Sequence, residues 1–227
     1  MSAYFSFQAS PSLAKDLETV LAHLDHHDTA PQAELYVKMS IEMTDAILQV
    51  LLLDLVKATG SKSGVLEQLA GLLRGTMHVL LRQLLAKRDN DELAKAAVYV
   101  HARRRYLGST LHVAIPLSDS LRTRFEAVFM EIDAGRGEAN REELRVAMSD
   151  FVDQAVSGFY DEFVQAMPMG FLMSKAAQVA RATIFKGAHA AMNKMIPSLS
   201  QAELKGLADY FDGFLYSDPV LSAEPVA

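Results

Sequence analysis

Of the seven histidines in the sequence, His23, His26 and His27 crowd together, with Asp28 beside them. His23 and His27 lie one helical turn apart, so two imidazoles could grip one divalent metal ion and Asp28 could add a third ligand. The same histidines fall at the end of a helix, where they also interact favourably with the carbonyl end of the dipole. A second constellation runs along one stripe of a later helix, Arg74, His78 and Arg82, with Glu67 in line and Leu, Val and Met over most of the remaining surface. Such a stripe meets water or faces carboxylates, for which Asp45 and Asp54 are candidates. His189 follows His78 at a separation of 189 − 78 = 111. The two histidines therefore read either as a repeated structural hydrogen bond or as markers of a ligand pocket.

Arg103, Arg104 and Arg105, with Lys87 and Arg88 nearby, could hold a phosphate or an acidic partner and are expected to be exposed. The chain lacks Trp and has a net charge of −6, so nucleic acid is not expected as a partner. Met167, Met169 and Met173, with Met192 and Met195, either fill an irregular core or offer a pliable surface to an apolar partner. Gly135-Arg136-Gly137 lacks the third glycine of a dinucleotide loop, and no zinc-protease helix motif or serine elbow is present. Without Cys there is no disulfide, thiolate metal site or cysteine nucleophile, which fits a cytoplasmic protein.

Periodic apolar positions predict the elements that must place these groups. A first helix runs from about Ser12 to His27, and a second from Pro31 to about Thr59, stopped by Gly60. A third covers Ser63 to Lys87, and a fourth runs from Asp89 or Asn90 to near Gly108. Ala3, Phe5 and Phe7 alternate with polar neighbours, as do Leu111, Val113 and Ile115, and both segments read as short strands that need burial and a partner. No apolar run is long enough to span a membrane.

The order repeats. Ser12, Leu13, Glu18, Val20 and Asp25 match Ser120, Leu121, Glu126, Val128 and Asp133 at a separation of 120 − 12 = 108. Glu34, Leu35, Val37, Met39, Ser40 and Ala46 match Glu143, Leu144, Val146, Met148, Ser149 and Ala155 at 143 − 34 = 109. His78, Glu92, Leu93, Ala97 and Tyr99 match His189, Glu203, Leu204, Ala208 and Tyr210 at 111. Small changes of separation that fall in loops are what a diverged tandem duplication leaves. The expected fold is all-α with two short β-strands and pseudo-two-fold symmetry: one repeat over 1–108, a second over 109–216 sharing its core, and a loose tail over 217–227. The expected function is a non-catalytic helical interaction or regulatory protein with a protein partner and no cofactor. The alternative is a helical bundle binding a small ligand or divalent metal at His78 and His189 or at the His23–His27 cluster.

Overall fold

In the computed structural model, residues 2–26, 29–60, 64–217 and 220–225 are described. The chain is mostly helical, with a small antiparallel sheet. Strand β1 (Ala3–Gln8) is followed by α1 (Pro11–Asp25) and α2 (Ala33–Leu48). A π-helical turn, Gln49–Asp54, carries α2 into α3 (Leu55–Thr59). Then come α4 (Val65–Leu85), α5 (Asn90–Arg103) and β2 (Arg104–Leu107). The second half runs β3 (Thr110–Leu117), α6 (Asp119–Glu131) and α7 (Arg141–Val156). A π turn, Ile132–Arg136, also follows α6, and a third, Ser157–Asp161, leads from α7 to α8 (Glu162–Ala166), followed by α9 (Phe171–Met195), α10 (Gln201–Asp212) and β4 (Leu215–Ser217).

The helix starts follow from capping chemistry. Ser10 accepts from the Leu13 amide and Ser118 from the Leu121 amide. Asp89 accepts from the Glu92 amide, and Ser200 with Glu203 forms a reciprocal capping box. Each satisfies a backbone donor that the first helical turn leaves without a partner.

The sheet order is β2-β3-β1-β4, all antiparallel, so both predicted strands pair within the chain at its centre. Two further strands depart from the expectation. The fourth helix ends at Arg103, not near Gly108, because Arg104–Leu107 turns back on Thr110–Val113 through Gly108-Ser109, with Gly108 left-handed at φ 60°. β4 adds a short strand to the free side of β1. The tail is not loose where it is described: Leu221 is buried, and Ser222 exchanges two backbone hydrogen bonds with Tyr106 of β2.

One face of the central pair carries Phe5, Phe7, Val113 and Ile115, all buried as the alternation predicts. Beneath it Phe5, Phe151 and Phe211 form a cluster with ring centroids 4.9–5.7 Å apart, extended by Phe125. Rings at these separations add to the roughly 2–3 kcal/mol that each large apolar side chain gains by burial. Helix α10 crosses α3 so closely that a Cβ on Gly206 would lie 2.4 Å from the Ala58 carbonyl oxygen. Glycine is the residue that permits that approach. Among the described residues, no helix is long and apolar enough to cross a membrane.

Candidate functional site

An apolar cavity of about 130 Å³ lies where the two halves meet. Its walls come from α2, α4, α7 and α9, with Phe211 of α10. Leu73 and Met77 face it from α4, and Ile184 and Ala188 from α9. Two π turns line it as well, Leu51 and Leu52 from Gln49–Asp54, here the first, and Phe159 and Tyr160 from Ser157–Asp161, here the second. Apart from Thr44 and Tyr160, every lining residue is a hydrocarbon or thioether side chain. The Tyr160 hydroxyl donates to the Ala177 carbonyl at 2.7 Å, and burial pushes its pKa up to about 12, with the Asp161 carboxylate adding to the rise. It is a neutral, committed donor.

The π turns are held by tyrosines from the opposite half. Widening a helical turn by one residue breaks the usual amide–carbonyl register and frees carbonyl oxygens for other donors. The Tyr99 hydroxyl of α5 donates to the Phe159 carbonyl in the second π turn at 3.0 Å. The Tyr210 hydroxyl of α10 donates to the Val50 carbonyl in the first at 2.8 Å. Burial raises the pKa of both phenols, so each remains a donor.

Two histidine–aspartate contacts staple the helices beside the cavity. His78 Nε2 lies 2.9 Å from Asp45 Oδ1, which also accepts from Arg74 Nε at 3.0 Å. His189 Nε2 lies 2.7 Å from Asp153 Oδ1, with the Phe185 ring 4.4 Å from the imidazole. One contact ties α4 to α2 and the other α9 to α7. Of the two carboxylates suggested for His78, Asp45 is the partner, while Asp54 holds Gln49 and Lys57. Arg82 is exposed and makes no ion pair among the described residues.

Other sites read from the sequence lie elsewhere. Arg103 is not exposed: it is 3% accessible, paired with Glu162, and 5.4 Å from the Tyr99 ring. Gly158 makes room for it, since a Cβ there would meet Ile115 and sit 3.3 Å from Arg103 Nη1. Arg103 Nε and Nη1 find no acceptor among the described residues. Arg104 and Arg105 are half-buried against the rings of Tyr106 and Tyr4. Met167 is buried, and Met169 and Met173 pack on the core, so the methionines fill space. His27 and Asp28 lie outside the described residues, and among those described no group of three or more potential ligands is arranged to hold a metal ion.

The cavity and π turns had no signal of their own, because Leu, Ile, Met and Phe read alike whether they pack or line a space. The tyrosines had one in their separation, 210 − 99 = 111. The chain matches no family model, no curated protein and no solved structure.

Proposed function

We propose that this chain is two diverged copies of one strand-plus-four-helix unit, fused so that their joint forms a binding cavity for a small apolar molecule. Several coincidences support the duplication. Exchanging the halves turns β2-β3-β1-β4 into the same order reversed. Ser6 pairs with Ala114, and 114 − 6 = 108, the separation read from the sequence, so a two-fold axis fits through that pair. The caps Ser10 and Ser118 are also 108 apart, and Asp89 and Ser200 are 111 apart. Val50 and Phe159, the two carbonyls capped by tyrosine, are 159 − 50 = 109 apart.

The observation that carries the binding reading is the cavity bordered by one π turn from each half. Protein interiors leave few voids larger than a water molecule, and π turns recur at functional sites. Open on one side, the space of about 130 Å³ leaves its apolar walls without the dispersion contacts of a packed core. An apolar guest restores those dispersion contacts. The walls offer hydrophobic contact rather than acid–base groups, which suits holding a molecule more than transforming it.

Toluene tests the reading. Saturation should raise the melting temperature by a few degrees, as expected when a ligand binds only the folded state. Ala188→Phe should fill the space and abolish the shift. No shift with toluene, or an undiminished shift in A188F, would reject the cavity as a binding site.

A further inference from the structure

We infer that the cavity takes a carboxylic acid with an apolar body of about six to eight carbon atoms, its carboxylate lying at the Arg74–His78 end. This rests on the cavity being a binding site. The size follows from volume and from the open side of the space: an enclosed apolar space of roughly 150 Å³ accepts benzene, this one is about 130 Å³ and opens to solvent, so about six carbons fill it and a longer chain ends at its mouth. The acid follows from how unlike the two ends are.

Arg74 and His78 each follow a lining residue, Leu73 and Met77, and Asp45 follows Thr44, so this cluster adjoins the lining on α4 and α2 without being part of it. Asp45 offsets Arg74, but Arg74 reaches it only through Nε, and its Nη atoms make no hydrogen bond to the described protein. That leaves a guanidinium edge open for two parallel bonds to a carboxylate. Arg82, one turn beyond His78, makes no ion pair among the described residues and adds a positive charge. Thr44 contributes the lining hydroxyl that makes no hydrogen bond among the described residues, a handle for the acid's second oxygen.

The opposite end has the reverse balance. Asp153 faces His189, and the cation in the neighbourhood, Arg181, is committed through Nε and Nη2 to both oxygens of Asp161. Phe185 occupies the place that corresponds to Arg74, at 185 − 74 = 111. A carboxylate placed there would meet the Asp153 carboxylate while the nearby guanidinium is bound to Asp161, so the field orients an amphiphile one way.

Octanoate and 1-octanol are the probes, titrated calorimetrically into the full chain at pH 7.5 and low salt. Octanoate should bind about tenfold more tightly than octanol, and Arg74→Gln should erase that difference while leaving octanol binding unchanged. Arg74 is half-exposed and its contact with Asp45 is a surface pair, so R74Q should melt close to wild type, and Arg74→Lys should restore part of the preference. If octanol binds but octanoate binds no better, or if R74Q keeps the preference, the acid assignment fails and the cavity reading stands. If neither binds, both fail.

Discussion

The two places where a tyrosine crosses to the other half's π turn share a geometry but not a chemistry. At one, Tyr99 stacks with Arg103 one helical turn on, and Arg103 pairs with Glu162. At the other, Tyr210 packs edge-on against Phe214 at 4.8 Å, and the proposed duplication matches Glu162 with Leu53, at 162 − 53 = 109, which packs on the core. A buried ion pair at one joint thus stands where hydrocarbon stands at the other. On the proposed duplication, the apolar joint is a counterpart with the same tyrosine-to-carbonyl contact and no charges. The pair's desolvation cost can offset most of its attraction, so it contributes little net stability while making either partner alone costly.

That asymmetry gives the largest expected effect. Glu162→Ala leaves the Arg103 guanidinium, its side chain 4% accessible, without a counter-ion. Breaking a buried pair costs about 3–5 kcal/mol, and the half-exposed glutamate puts this one near 3. Replacing both, Arg103→Met with Glu162→Leu, rebuilds the other joint's chemistry and should stay within about 1 kcal/mol of wild type. Urea unfolding of R103M, E162L and the double completes the cycle. Two singles as mild as the double would show that the joints do not differ in the way described.

The next effect isolates what the joints share. Tyr99→Phe and Tyr210→Phe each strip a π-turn carbonyl of its donor, at about 1–2 kcal/mol apiece. The loss should be greater at Tyr99, which is 3% accessible, than at the half-buried Tyr210. Hydrogen exchange should accelerate at the π turn of the opposite half in each variant. Acceleration confined to the mutated helix would separate the tyrosines from the turns they are described as holding.

Much of this is legible in sequence, and the misses have physical causes. The helices announce themselves through Ser10, Asp89, Ser118 and Ser200 and through apolar spacing, and the central strands through the alternation at Phe5, Phe7, Val113 and Ile115. β2 reads as helix because Arg103-Arg104-Arg105 suits a helix C-terminus. The contrary signal is Gly108-Ser109, two turn residues between short runs with Tyr106 and Leu111 in phase. β4 is too short to have a period. Asp45 could be named for His78, but Asp153 could not for His189, since Asp153 corresponds to Thr44, at 153 − 44 = 109. The cavity depends on helices far apart in the chain, a juxtaposition that no local pattern encodes.

The smallest effect lies on the other face of the sheet, where the halves also differ. The proposed duplication matches Tyr4 with His112, at 112 − 4 = 108. Tyr4 is half-exposed beneath the Arg105 guanidinium, whereas His112 is buried, with Nδ1 3.1 Å from Ser6 Oγ and the Tyr216 ring 5.8 Å away. Burial lowers the His112 pKa, so the fold favours neutral imidazole. In the unfolded chain the group titrates near its ordinary value of about 6.5. As pH falls below that value the unfolded state takes up a proton that the folded state refuses, so the contribution to stability is complete above about 6.5 and is lost as pH falls through the lower folded pKa. Replacing His112 with Asn keeps a polar group beside Ser6 and removes the titration. Carboxylates titrate alike in both proteins and cancel, so the urea midpoint of the wild type should fall further between pH 7.5 and pH 5 than that of H112N. Parallel pH profiles would mean that His112 is no more protected from protons than a surface histidine, and that the two halves of the sheet's outer face are alike in the one respect where burial sets them apart.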